Sequence, residues 1–308
     1  MAARTRLGAL LLAAACLLTA CDSDFEGTRL RVAGGFRDGV YYNLSRSLSA
    51  SWRTQTGVEA EVLETSGSPD NMDLLTSGRT DIALSAADVA EQPTTGPRKP
   101  RALARIHTDY LHLVVRDELP INDLKDLRGR RVSLGSDNSG VKFIARRVLD
   151  AADLGQAEMD RVSYGLTRSV EAFRAREIDA FFWSGGLPTT AISKLAKDEP
   201  IRLIDLGAYL PGLRSDFPIY DSASIPASTY GLRQNTAVTT LSVPNYLLVS
   251  DAMPDELAET LVRGMFDDQD ALAKANPAAL SIDVHAAIET EPVPLHPGAE
   301  RFYRDEKE

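Results

Sequence analysis

Cysteine is nearly missing from this chain of 308 residues. It has two, Cys16 and Cys21, both within the first 21 positions. A mature protein cut there would fold without a disulfide, a thiol nucleophile or a thiolate metal ligand. Histidine is scarce as well, at His107, His112, His285 and His296. No two have the four-residue helical spacing of a zinc protease. His107 and His112 fall on predicted strands, five positions apart. No metal and no resident cofactor are therefore expected. Basic excess is absent: the net charge is −10, which argues against nucleic acid as a partner, because phosphate binding needs a basic footprint. No serine stands in a G-x-S-x-G elbow. The many carboxylates fall at predicted helix starts or on polar faces, where a solvated surface accounts for them. No apolar run reaches the roughly 20 residues that span a bilayer. There is no short-period repeat and no low-complexity tract.

What is present suits a soluble globular protein with room for two domains: 44% hydrophobic and 25% charged residues. The N-terminus has a targeting pattern. Arg4 and Arg6 precede the apolar stretch "LGALLLAAACLL", and "LLTAC" closes it at Cys21. Leu18-Thr19-Ala20 before Cys21 resembles a bacterial lipobox. That resemblance implies a lipoprotein signal peptide over 1–21, lipid on Cys21 and a membrane partner reached through it. A plain secretory signal with an incidental cysteine is the alternative. Loss of Arg4 and Arg6 would take the net charge from −10 to −12. Residues 22–28, "DSDFEGT", read as a polar tether.

From residue 29 strand and helix signals alternate, the pattern of an α/β protein with mostly parallel sheets. "RLRVAGG" reads as a strand. Val40, Leu44, Leu48 and Trp52 form the buried stripe of a helix over 40–54. "VEAEVLET" and "TDIALS" are strands around a helix that Pro69 opens and Gly78 closes, with Met72 and Leu75 inward. "ALARIH" and "YLHLVVR" read as two further strands. Strand–helix units continue through "IRLIDL". Residues 207–240 read as irregular. A long helix carries Leu257, Leu261 and Met265, and a short one ends the chain. The units form two lobes, 29–115 plus 242–308 and 116–241. "LHLVVR" leads out of the first lobe and "SVPNYLLV" leads back, giving a two-stranded hinge.

The functional signal lies in the turns. In "VAGGFRDGVYYNL", residues 32–44, Gly34, Gly35 and Gly39 precede a helix. A dinucleotide fingerprint needs G-x-G-x-x-G. The observed spacing differs, and Phe36, Arg37 and Asp38 crowd the place of a pyrophosphate. A small anion still suits the free amides of a helix start. So does a purely structural turn. The motif type recurs in "TSGSPDN" (65–71), "GSDNSG" (135–140) and "WSGGLP" (183–188), each between a predicted strand and a predicted helix. In an open parallel sheet such turns lie where ligands bind. If the lobes face each other, four helix starts converge on one cleft. Each gives an anion roughly 0.3–1 kcal/mol, about 2 when partly buried, and a charge-assisted hydrogen bond adds about 1.5–3. Micromolar binding, about 8 kcal/mol, is within reach without any proton-transfer pair.

These stretches, in order, resemble the TAXI family of extracytoplasmic solute receptors. The carrying segments are "GVYYNL", "GSPDNMDLLTSGRTDIAL", "LHLVVR", "DLRGRRVSLG", "IDAFFWSGGLPTTAI", "IRLIDL", "SIPASTY" and "PVPLHPGAERFY". The resemblance implies a two-lobe periplasmic-binding-protein fold of type II, each lobe a mostly parallel sheet flanked by helices. It implies a small organic anion as solute, glutamate and 2-oxo acids among them. It also implies the fused membrane subunits of a TRAP permease as partner, and no catalysis. Carried over by position, the site holds Gly35, Gly39, Val40 and Tyr41; Ser66, Ser68 and Asn71; Ser136, Ser139 and Gly140; and Trp183 and Gly185. Arg37 is added on chemistry, as a bidentate clamp for a carboxylate; a solvent-facing arginine paired with Asp38 or another acid is its alternative. The chain departs from the resemblance at Ala86-Ala87-Asp88, where relatives often have Gln-Ser-Asp. The rival function is a sensory input protein that reports occupancy of the same cleft to a membrane kinase.

Overall fold

The computed structural model describes residues 25–37, 39–155 and 158–306. The signal peptide, the lipobox with Cys21, tether residues 22–24 and Asp38 lie outside these. Among the described residues no helix is long and apolar enough to cross a membrane.

The first half builds as its periodicities dictate. Strand β1 (Arg29–Ala33) enters the turn at Gly34, and helix α1 (Val40–Thr56) follows. Leu44, Leu48 and Trp52 are buried on one face, and Gly57 ends the helix in the left-handed region. Strand β2 (Glu59–Leu63) leads to α2 (Ser68–Thr76), then to the wholly buried β3 (Ile82–Ala86) and the single turn α3 (Ala87–Ala90). Next comes β4 (Pro100–Arg116), one strand of 17 residues where two were expected. Its pairing with a later strand shifts register twice, so Leu103 and Ile106 are bulged in and the alternation resets at each. Those resets make one strand read as two.

The second half repeats the scheme with β5 (Arg131–Ser133), α4 (Gly140–Ala151), β6 (Asp160–Val162), α5 (Leu166–Arg174), β7 (Ala180–Gly185), α6 (Thr190–Asp198) and β8 (Ile201–Leu203). The stretch expected to be irregular contains α7 (Leu210–Asp216) and β9 (Asp221–Ile225). The β9 sequence, "DSASI", lacks a strong apolar alternation because most of it stays exposed. Strand β10 (Val238–Ser250) returns to the first half. There α8 (Asp255–Asp267), α9 (Gln269–Ala275) and α10 (Pro297–Asp305) complete it. Trp52 Nε1 donates to Leu261 O at 2.8 Å, tying α1 to α8, and Phe302 of α10 stacks on Phe266.

Among the described residues ten strands form one mixed sheet in the order β2-β1-β3-β10-β4-β7-β5-β6, with β8 beside β4 and β9 beside β10. The triplets β2-β1-β3 and β7-β5-β6 are parallel. The long strands β4 and β10 run antiparallel to each other and belong to both halves. Asn245–Val249 of β10 pairs with β3, while Val238–Ser242 pairs with β9. Tyr110–Val115 of β4 pairs with β7. The changeover falls near His107–Tyr110 and Ser242–Asn245. The sequence-based boundaries at 115/116 and 241/242 lie on these two strands.

Candidate functional site

Beside that changeover the two halves enclose a cavity of about 630 Å³, part of it open to solvent. The starts of α1, α2 and α4 reach its wall. Gly39 and Val40 open α1, Gly67 and Ser68 open α2, and Gly140 and Val141 open α4. The turns are braced from behind. Gly35, at φ +74°, donates its amide to Thr65 Oγ1 at 2.8 Å. Thr65 Oγ1 in turn donates to Asn71 Oδ1, and Asn71 Nδ2 donates to Leu84 O at 2.7 Å. Gly67 takes φ +114°, open to glycine and strained for any other residue. The halves touch here: a Cβ built on Gly140 would stand 3.2 Å from Ser68 Oγ.

Of the residues expected at the site, Gly35, Gly39, Val40, Tyr41, Ser66, Ser68, Ser139, Gly140, Trp183 and Gly185 lie on the cavity wall. Three do not. Arg37 is exposed and its Nε is 2.7 Å from Glu64 Oε2, so the nearest acid at the end of β2 takes the guanidinium away from the cavity. Asn71 is fully buried and its amide is used in the brace. Ser136 lies behind the third turn, where its carbonyl accepts from Ser139 Oγ at 2.7 Å. The fourth helix start is also turned away. The Thr189 amide donates to Tyr230 Oη at 3.0 Å, and Trp183 Nε1 donates to Thr189 Oγ1 at 3.1 Å. The strand end of the fourth turn, from Trp183 to Gly185, lines the wall; its helix does not. Gly185 must lack a side chain, since a Cβ would fall 2.6 Å from Trp183 Nε1.

Three of the hydroxyls on the wall already have partners. Tyr41 Oη donates to Asn245 Oδ1; Ser68 Oγ lies 3.1 Å from Tyr41 Oη and accepts from the Ala86 amide at 3.0 Å. Ser139 Oγ caps α4 by accepting from the Lys142 amide at 3.2 Å. Of the expected residues Ser136 has a buried Oγ without a hydrogen-bond partner among the described residues; the buried unpartnered groups on the wall itself, on Asp88 and His107, were not foreseen. Asp88 on α3 is 1% exposed; its Oδ2 accepts from Tyr220 Oη at 2.7 Å, and its Oδ1 has no hydrogen-bond partner among the described residues. Burial raises its carboxyl to about 6, against the lowering pull of the Tyr220 hydrogen bond and the Arg147 guanidinium. His107 on β4 is 4% exposed and both its ring nitrogens lack a hydrogen bond. Its Nε2 is 3.2 Å from Asp109 Oδ1 without hydrogen-bond geometry. The His107 ring meets Tyr41 edge-on at 5.6 Å. Burial, then the Asp109 charge, pushes the Tyr41 phenol well above its ordinary value. Asp88, His107 and Asp109 all line the cavity. The one sequence signal for the last two is their spacing: two apart on a strand, they share a face.

A mixed sheet whose two α/β halves are joined by paired crossing strands, with a cavity between them, is the fold of periplasmic binding proteins. The chain belongs to the NMT1-like family, whose profile matches residues 32–306. Solved structures agree on the fold. It is similar to the periplasmic binding protein BugD, at 12% identity over 91% of this chain and 97% of that one, with a TM-score of 0.54. It is similar to a putative L-cystine ABC transporter protein from Listeria monocytogenes, at 12% identity over 83% and 98% of the chains, with a TM-score of 0.52. The ligand-binding core of GluR0 in complex with L-glutamate matches at 11% identity over 83% and 99%, with a TM-score of 0.50.

Proposed function

We propose that this protein is an extracytoplasmic solute receptor of the TAXI type, held to the membrane by lipid on Cys21. It captures a small carboxylate, an amino acid or 2-oxo acid such as glutamate or 2-oxoglutarate, and delivers it to a TRAP-type permease. One observation carries the reading: helix starts from both halves meet on one cavity, where their positive ends favour a carboxylate. The NMT1-like family and the solute-receptor fold support it, as does L-glutamate in the GluR0 core. The contact of Gly140 with Ser68 suits a receptor that closes on its solute.

The test is a thermal-shift screen of the purified protein against amino acids and 2-oxo acids, since a ligand that binds only the folded state raises the melting temperature. Hits then go to proteoliposomes holding the fused TRAP membrane subunits. Uptake that depends on this protein is expected, with the solute chemically unchanged. Binding without uptake, together with ligand-dependent phosphorylation of a membrane kinase, would favour the sensory role instead.

A further inference from the structure

The charge on the cavity wall narrows the solute class. None of the described residues lining it is Lys or Arg, while Asp88 and Asp109 both are there. Asp88 Oδ1 is buried without a partner, and a polar atom left in that state inside a folded protein asks for one. The described residues hold no group of three or more metal-ligating side chains placed for an ion, which points away from a metal as that partner. An oxo acid would set a third anion beside two carboxylates on a wall that carries no cation, an arrangement that costs affinity. A zwitterion presents its carboxylate to the helix starts and an N–H donor to Asp88.

We infer that the solute is an amino acid with a free ammonium group, which donates a hydrogen bond to Asp88 Oδ1 and takes Asp109 as its second counter-charge. This rests on the receptor reading above and selects the amine within it. His107 also lines the wall, and neither of its buried ring nitrogens has a hydrogen-bond partner among the described residues.

The experiment uses pairs that differ only in amine against oxo group: L-glutamate and 2-oxoglutarate, L-leucine and 4-methyl-2-oxopentanoate, L-phenylalanine and phenylpyruvate, L-alanine and pyruvate. Calorimetric titration at pH 7.5 should find an amino acid bound about tenfold or more tighter than its oxo partner, the worth of one charge-assisted hydrogen bond. Asp88→Asn and Asp109→Asn should each remove most of that preference while leaving weak oxo-acid binding in place, with melting curves showing both variants folded. An oxo acid that binds as well as its amino partner overturns the inference and leaves the receptor reading intact. A preference that survives both substitutions does the same. If neither member of any pair binds, the small-carboxylate reading fails and the inference falls with it.

Discussion

Asp88→Asn should make the ligand-free protein more stable, by an amount that depends on pH. The carboxyl is buried, and its value in the fold is about 6 against an ordinary 3.8. Below pH 3.8 it is protonated in both the folded and unfolded chain and contributes no difference. Between 3.8 and 6 the unfolded chain gives up its proton first, so the folded state binds more protons and stability falls as pH rises. Above 6 the cost is complete, at about 3 kcal/mol. Asparagine has nearly the same shape and still accepts from Tyr220 Oη, so the substitution removes the charge with little else. Guanidinium unfolding of wild type and variant at pH 7.5, 6, 5 and 4 reads the difference directly. The expected gain is about 3 kcal/mol at pH 7.5, shrinking toward zero at pH 4. A variant no more stable than wild type at pH 7.5, or a gain that does not change with pH, would refute the reasoning.

Other perturbations separate the roles of the remaining residues. Gly140→Val adds a branched side chain where a single Cβ already meets Ser68 Oγ at 3.2 Å. Overpacking of about 1–3 kcal/mol should weaken solute binding by about 5- to 150-fold; full affinity would show that the halves need not meet there. Asn71→Ala leaves Leu84 O and Thr65 Oγ1 without their partner and should cost stability by about 1–3 kcal/mol for each group, visible in denaturant unfolding. Arg37→Ala breaks an exposed pair with Glu64 and a guanidinium contact over the Tyr42 ring at 5.6 Å, both away from the cavity, and should change neither melting nor affinity. His112 is pushed down from 6.5 to about 4, chiefly by burial. Its contribution is full above pH 6.5 and is lost as pH falls through about 4, a loss of about 3 kcal/mol. Unfolding in the Asp88→Asn background, with and without His112→Phe, isolates it: the slope between pH 6.5 and 4 should flatten in the double variant.

Much of the cavity's frame was legible because glycine and helix-start chemistry are local. Gly35, Gly67 and Gly140 mark places where the backbone turns or another chain segment comes close, and the residue itself carries that information. The expected residues that lie off the wall do so for reasons that are only partly local. Asn71 shares the inward stripe of Met72 and Leu75 on α2, so its burial could be read from helical spacing once that stripe was drawn. Arg37 could not be placed the same way, because Glu64 reaches it across the parallel pair of β1 and β2, 27 positions along the chain. Asp88, His107 and Asp109 were least visible. What singles out Asp88 and His107 is a buried polar atom without a hydrogen-bond partner, and a sequence shows a side chain without showing which contacts it lacks.

The same asymmetry explains how an acidic chain can present a site for a carboxylate. The donors at the cavity are backbone amides at the starts of α1, α2 and α4, with a positive field that adds nothing to formal charge. The acceptors on the wall are the side chains of Asp88 and Asp109, which do count toward the −10 of the sequence. Net charge therefore registers one side of the site and misses the other. A wall built this way matches a ligand bearing both signs at short separation, and it keeps a buried carboxylate with one unpartnered oxygen in the protein. That carboxylate is the one whose removal should stabilise the ligand-free fold, so gain in stability and loss of amino-acid preference should travel together in Asp88→Asn. Either one appearing without the other would separate the electrostatic cost of the residue from its part in recognition.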